Sequence, residues 1–281
     1  MKNILYTLAL IVSFSSFGQT ADEYFNSGYD KAEAKDYYGA VSDYTKAIVL
    51  NPNNAVTYYN RGLSKANLKD YYGAISDYNK AIELNPNYTN AYNNRGVAKR
   101  NLKDYYGAIS DYNKAIEINP NLSEAYNNRG VSKANLKDYY GAISDYSKAI
   151  ELNPNYAIAY NNRGISKNDL KDYSGAINDY NKAIELNPND DGLVSIDKNG
   201  NVLRADTYYN RGLAKAKLKD FYGSISDFNK TIKFDPNYAK AYNNRGGSKY
   251  YINDLKGACE DAKKASSLGY DASKLIEAAC N

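Results

Sequence analysis

The sequence predicts an all-α solenoid of helix–turn–helix repeats, interrupted by one small β-hairpin. Three observations carry this. Asn-Pro-Asn occurs at 51–53, 85–87, 119–121, 153–155 and 187–189, each copy 34 residues after the last, and Asp235-Pro236-Asn237 is a sixth copy that follows after 48 residues. Tyr-Asn-Asn-Arg-Gly occurs at 92–96, 126–130, 160–164 and 242–246, with Tyr-Tyr-Asn-Arg-Gly at 58–62 and 208–212. Between these markers small and apolar residues recur at helical spacing, as in Ala74, Tyr78, Ala81 and Ile82. A fixed period of this kind belongs to stacked units, each burying its apolar face only against its neighbours.

The chain opens differently. Met1-Lys2-Asn3 is a short positive start, Ile4 to Phe17 is apolar with small polar breaks, and Ser16-Phe17-Gly18 places small residues at the −3 and −1 positions of a cleavage site. Residues 1–18 therefore read as a secretory signal peptide, too short for a comfortable membrane span. A retained N-terminal anchor is the alternative. No Cys follows the apolar stretch and nothing later is apolar enough to cross a bilayer, so the expectation is an exported soluble protein, periplasmic or extracellular.

Residues 21–190 hold five units, starting at Ala21, Ala55, Thr89, Ser123 and Ala157. In the second, the first helix is expected from Val56 to Leu68. Asp70 caps a second helix running from about Tyr71 to Leu84, and Pro86 stops it. Gly62 and Ala74 are small and let the two helices approach closely. The excess before the sixth Pro marker is an insertion, residues 191–204. There, Asn199-Gly200 is the favoured two-residue hairpin turn, setting Ile196 opposite Leu203 and Asp197 opposite Val202. Asp197, Asn199 and Asn201 resemble the start of a calcium loop, but Gly falls one position early and Tyr208 stands where Glu is needed, so calcium is rejected. Residues 205–272 hold two further units, starting at Ala205 and Ala239, and residues 273–281 a short helix that covers the open end.

Counted from Ala55, an aromatic falls at unit position 4 (Tyr58), Gly at 8 (Gly62), Ala at 20 (Ala74), an aromatic at 24 (Tyr78), Ala at 27 (Ala81) and Pro at 32 (Pro86). This pattern resembles the tetratricopeptide repeat (TPR), and it recurs in seven units covering nearly all of the chain after residue 20. The resemblance implies a right-handed solenoid that binds protein or peptide partners and carries no chemistry of its own. The last unit is degenerate, with Leu255, Ala262 and Tyr270 in place of the usual aromatic, aromatic and proline, as a capping unit permits.

Two features depart from the family pattern. Position 7 is Arg61, Arg95, Arg129, Arg163, Arg211 and Arg245, and position 11 is Lys in all seven units, where the family more often has Leu and Tyr. An unpaired charge in this seam is costly. Position 23 is Asp in every unit, so we expect structural pairs of Arg61 with Asp77, Arg95 with Asp111, Arg129 with Asp145, Arg163 with Asp179 and Arg211 with Asp227, within a unit or to the adjacent one. The rival reading of these arginines is an anionic-ligand site.

The second feature is amide. By resemblance, positions 2, 5, 6, 9, 12 and 13 of the first helix line a concave face, and this assigns peptide binding to Tyr59, Asn60, Asn93, Asn94, Val97, Arg100, Asn127, Asn128, Val131, Asn161, Asn162, Ile165, Tyr209 and Asn210. An amide both donates and accepts, which suits an extended backbone. Members that clamp a C-terminal carboxylate use Asn at position 6, but also Lys or Arg at 5 and Asn at 9. Here position 5 is Asn or aromatic and position 9 mostly aliphatic, so that clamp is absent. The plain alternative is that these amides only solvate a helix face.

Composition narrows the rest. The 281 residues include 32 Tyr but no His or Trp, with a formal charge of +4. Without histidine there is no Ser-His-Asp or Cys-His catalysis and no His-bearing metal site. No glycine-rich phosphate loop is present, and the acidic residues repeat at ladder or surface positions, so neither an enzyme nor a cofactor is expected. The mild, unclustered charge does not suit nucleic acid. Cys259 and Cys280 are the only cysteines and in an oxidising compartment form one disulfide, two buried thiols being the alternative. A glycan or cell-wall binding module is the rival function, since tyrosine faces and amides also suit sugars. It calls for exposed rings grouped with amides and carboxylates in one pocket, whereas a peptide calls for a continuous groove. No oligomeric state follows from the sequence.

Overall fold

The structure, a computed structural model, describes residues 19–186 and 203–280. The chain divides into two compact units, one ending at Ala91 and the other beginning at Tyr92. The first holds α1 (Ala21–Glu33), α2 (Tyr37–Leu50), α3 (Ala55–Asn67) and α4 (Tyr71–Leu84). α5 (Thr89–Asn101) begins just before the division. The second continues with α6 (Tyr105–Ile118), α7 (Ser123–Asn135), α8 (Tyr139–Leu152), α9 (Ala157–Asp169) and α10 (Tyr173–Glu185). It closes with α11 (Leu203–Lys217), α12 (Phe221–Phe234), α13 (Ala239–Tyr251), α14 (Leu255–Ser267) and α15 (Ser273–Cys280). Among the described residues every regular element is a helix, and within each unit consecutive helices pack on one another. The fold is an all-helical repeat solenoid. α11 begins at Leu203, which the hairpin reading places in a strand. The rest of the expected hairpin, and the expected signal peptide, lie outside the described residues.

Local chemistry sets the helix ends. Asp36, Asp70, Asp104, Asp138, Asp172, Asp220 and Asp254 each cap a second helix, the carboxylate accepting the N–H of the glycine three residues on at 2.9 to 3.0 Å. The preceding first helix ends in a left-handed residue that is never glycine. Lys35, Lys69, Lys103, Lys137, Lys171 and Lys219 have φ of 62 to 65°, and Asn253 has 67°. The Asp70 N–H donates to the Lys65 carbonyl at 2.9 Å, closing the 6→1 loop of a Schellman end. A lysine in that conformation costs about 1 kcal/mol relative to glycine. The turn repeats without the residue that usually announces it.

The core is a stack of alanines and rings. Ala74, Tyr78 and Ala81 in α4, with their equivalents in α2, α6, α8 and α10, are buried. In every complete repeat from the second to the fifth the tyrosine ring lies on the glycine of the first helix. A Cβ on Gly62, Gly96, Gly130 or Gly164 would stand 2.7 Å from Cε1 of Tyr78, Tyr112, Tyr146 or Tyr180. Glycine at position 8 is therefore a space requirement.

The last repeat solves the same problem differently. Its ring position is Ala262, so no ring covers Gly246, although the Ala258 carbonyl oxygen and Asp261 Cβ of its own second helix stand 3.1 Å from where a Cβ would be. Leu275 of α15 takes the ring's place, its Cδ2 lying 2.9 Å from where a Gly246 Cβ would be. Ala262, Ala265 and Ala272 form a small buried cluster with Tyr242, Tyr270, Leu275 and Ile276 packed on it. Cys259 and Cys280 are disulfide-bonded, with Cα atoms 5.1 Å apart, and this ties the end of α15 to α14.

Candidate functional site

The position-7 arginines are structural. Each guanidinium holds the aspartate 16 residues on through two parallel bonds, Nε to Oδ2 at 2.9 to 3.0 Å and Nη2 to Oδ1 at 2.5 to 2.7 Å. The position-11 lysine binds the same carboxylate, as in Lys65 to Asp77 at 2.7 Å and Lys133 to Asp145 at 2.8 Å. The aspartates Asp77, Asp111, Asp145, Asp179 and Asp227 are only 2 to 4 % exposed, so these are buried, fork-shaped pairs in which both carboxylate oxygens are engaged. Each arginine also lies over the tyrosine three residues before it, 5.2 to 5.5 Å from the ring centroid. The first repeat has Ser27 at position 7. There Ser27 and Lys31 hydrogen-bond Asp43, with Lys46 at 3.2 Å. Burial works to raise the Asp43 carboxyl, but those three bonds outweigh it and hold it at about 2.

The remaining arginine nitrogen reaches the preceding repeat. Nη1 donates from Arg61 to Thr45 at 3.1 Å, from Arg129 to Asn113 at 2.7 Å, from Arg163 to Ser147 at 3.0 Å, from Arg211 to Asn181 at 2.7 Å and from Arg245 to Asn229 at 2.6 Å. One guanidinium thus closes a repeat and fastens it to its neighbour. The sequence reading found the pair and missed the fastening; the signal was an oxygen-bearing side chain at position 25 of the preceding repeat, 16 residues before the arginine except at Arg211, where it is 30.

The amides also work between repeats. Asn128 donates to Asn93 at 3.2 Å, Asn162 to Asn127 at 3.1 Å and Asn244 to the Tyr209 hydroxyl at 2.9 Å, while Thr207 donates to Asn161 at 3.1 Å. Position 6 of one first helix meets position 5 of the one before it. Asn127 and Asn161 are 4 % and 5 % exposed and face their neighbours, so the structure removes them from a partner-facing surface. Amides at contiguous positions are better satisfied by each other than by water when helices lie this close. Asn60, Asn93, Asn94, Asn128, Asn162 and Asn210 are half-buried, as are Val97 and Val131, and Ile165 is exposed. Tyr59 packs on Tyr88 at 4.8 Å and Tyr209 on Tyr238 at 4.9 Å.

Arg100 stands apart. Unlike the six position-7 arginines it has no ion pair with a carboxylate among the described residues, and it donates to Asn128 at 3.4 Å. It is half-buried on the same face. Burial pushes the Tyr112, Tyr146 and Tyr156 hydroxyls up, Tyr156 to about 12, and the Arg100 charge opposes this at all three.

A second exposed pattern lies elsewhere on the repeats. Tyr38, Tyr72, Tyr106, Tyr140 and Tyr222, all at position 18, are 74 to 77 % exposed. Among the described residues no group of acidic or cysteine side chains is arranged to hold a metal, and no helix is long and apolar enough to cross a membrane.

Comparison with known proteins agrees with the geometry. A tetratricopeptide repeat model matches residues 55–88, 89–122, 123–156 and 157–190, and a second model of the same repeat matches 205–238. A tetratricopeptide repeat protein from Parabacteroides merdae is 23 % identical, with a TM-score of 0.65 over 94 % of this chain and 100 % of that one. The APC/C hetero-tetramer Cut9–Hcn1 is similar at 18 % identity and a TM-score of 0.69, over 92 % of this chain and 49 % of that one. YrrB, described as a TPR protein with an unusual peptide-binding site, is 22 % identical, with a TM-score of 0.58 over 72 % of this chain and 96 % of that one. No curated protein sequence matches.

Proposed function

The chain belongs to the tetratricopeptide repeat family, and on that footing we propose that it is an exported scaffold holding a protein or peptide partner along its first-helix face. It performs no catalysis, takes no cofactor and binds neither nucleic acid nor, once its leader is removed, a membrane. The observation that carries this reading is Arg100. Six arginines at position 7 are neutralised by buried aspartates, while this one is half-buried with only an amide beside it. A half-buried guanidinium with no carboxylate beside it is available to an anion supplied by a partner. By resemblance the same face carries Val97, Val131, Ile165 and Asn128, aliphatic and amide in character. In the second to fourth repeats positions 2, 9, 12 and 13 vary more than the nearly identical second helices, which supports putting specificity at those positions.

YrrB offers a precedent for a peptide on this fold, and not for these residues. The test is capture from the envelope fraction of the source cell. A partner retained by the wild-type chain and lost from Arg100→Ala and Ile165→Glu supports the reading; equal retention by both variants overturns it.

The exposed tyrosines at position 18 favour a second reading, a glycan or cell-wall binder, since five rings are presented to solvent at the repeat spacing. Binding of isolated cell-wall polysaccharide that Tyr106→Ala and Tyr140→Ala abolish would select it.

A further inference from the structure

The repeats differ most at the C-terminal end, and there the first-helix face deepens into a pocket of about 760 Å³. Three local changes make it. Position 9 is Leu63, Val97, Val131, Ile165 and Leu213 in the second to sixth repeats and Gly247 in the last, and a Cβ built on Gly247 meets nothing within 4 Å. Position 13 is polar or charged in the other repeats and Tyr251 here, its ring stacked on Phe221 at 4.8 Å and 10°. The α15 segment then closes the far side with Ala272 and Leu275. The floor is apolar, from Leu213, Phe228 and Leu275, and Asn243 and Asn244 add amides.

The rim is cationic. Lys217, Lys219 and Lys274 line it, all exposed. None of the three makes an ion pair among the described residues, whereas the position-11 lysines of the repeats all do. The one acid in the wall is Asp271, which accepts the Ser273 N–H at 3.1 Å and so is turned to the start of α15. Three lysines against one engaged carboxylate leave a net positive mouth over an apolar floor.

We infer that this pocket binds an acidic peptide segment, taking one bulky apolar side chain between Gly247, Leu213 and Leu275 and its flanking carboxylates on Lys217, Lys219 and Lys274. The inference deepens the scaffold reading and rests on it for the partner being a polypeptide. Apolar burial supplies the anchor, and lysines free of internal partners supply charge-assisted hydrogen bonds without first breaking others. A positive mouth also steers an acidic segment in from solution. The α15 wall is tied by the Cys259–Cys280 bond, so the pocket exists in the oxidised protein.

The experiment uses the purified protein and a fluorescein-labelled peptide with one leucine flanked on both sides by glutamates, beside a twin with glutamines in their place. Anisotropy is expected to show the acidic peptide binding about tenfold or more tightly than its twin, with the difference shrinking as salt rises. Lys217→Gln with Lys274→Gln should weaken the acidic peptide by about tenfold, and Gly247→Leu, which fills open space, should weaken both peptides by about tenfold, while Lys35→Gln changes nothing. Equal affinity for the two peptides, or native affinity in both pocket variants, overturns the inference. The two proposals fail separately. An envelope partner lost from Arg100→Ala but kept by the lysine variant leaves the scaffold reading standing and removes this pocket from it. Acidic-peptide binding that depends on the pocket, with no envelope partner captured, does the reverse.

Discussion

Arg129 donates through Nη1 to Asn113 of the preceding repeat at 2.7 Å while Nε and Nη2 of the same guanidinium grip Asp145 at 2.9 and 2.6 Å. A single planar fork thus serves the inside of one repeat and the boundary with the next, which the point charge of a lysine does not do. Asp145→Asn leaves Arg129 and Lys133 facing a neutral amide in a nearly dry seam. We expect a loss of about 3 kcal/mol, read from urea unfolding, with faster amide exchange in both α7 and α8. Exchange unchanged in these helices would show the fork to be dispensable.

Two glycines in equivalent helices should respond in opposite senses. Gly130→Ala drives a methyl to 2.7 Å from the Tyr146 ring, and the ring is buried with nowhere to move. It should cost about 2 kcal/mol. Gly247→Ala enters open space in mid-helix and should raise stability by up to about 1 kcal/mol. Melting temperatures that shift in the same direction would refute the packing account.

Tyr112 carries a buried hydroxyl with no hydrogen-bond partner of good geometry, and the sixth repeat already has Phe228 at that position. Tyr112→Phe should leave stability unchanged or raise it by up to about 1 kcal/mol. A clear loss on urea unfolding would mean that the hydroxyl has found a water or a partner in solution.

Asp43 supplies a pH dependence. Its folded-state value of about 2 lies below the ordinary 3.8, so its ionised form stabilises the first repeat in full above that ordinary value. The contribution falls as the pH drops from about 4 and is gone below about 2. Asp43→Asn should flatten this part of the stability curve. A curve of unchanged slope between those limits would show that Lys31, Ser27 and Lys46 do not hold the carboxylate.

Reduction should act at one end of the chain. The Cys259–Cys280 bond closes a loop with a sequence separation of 21, and opening it should cost about 3 kcal/mol through the unfolded state. A helix of 8 residues does not hold itself in place, so α15 should lose its exchange protection first and uncover Gly246. Equal loss of protection in α1 and α15 would contradict this.

What the sequence determined by itself was the part of the repeat that is local to one unit. The Pro markers, the Asp caps, the glycine at position 8 and the Arg–Asp spacing are local or recur at constant offset, and periodicity converts a weak signal into a strong one. The expected second helix of 71–84 and the five expected arginine pairs were legible on that basis. Tertiary structure decided what depends on the step between repeats. Asn127 and Asn161 read as ligand groups along one helix, and only the approach of the next helix buries them against Asn162 and Thr207. Leu275 standing in for a missing ring, and Gly247 opening a pocket beside it, come from residues far apart in sequence and present once each. A feature without a copy has no period to betray it, and the burial that gives it meaning exists only when the neighbouring helix is in place.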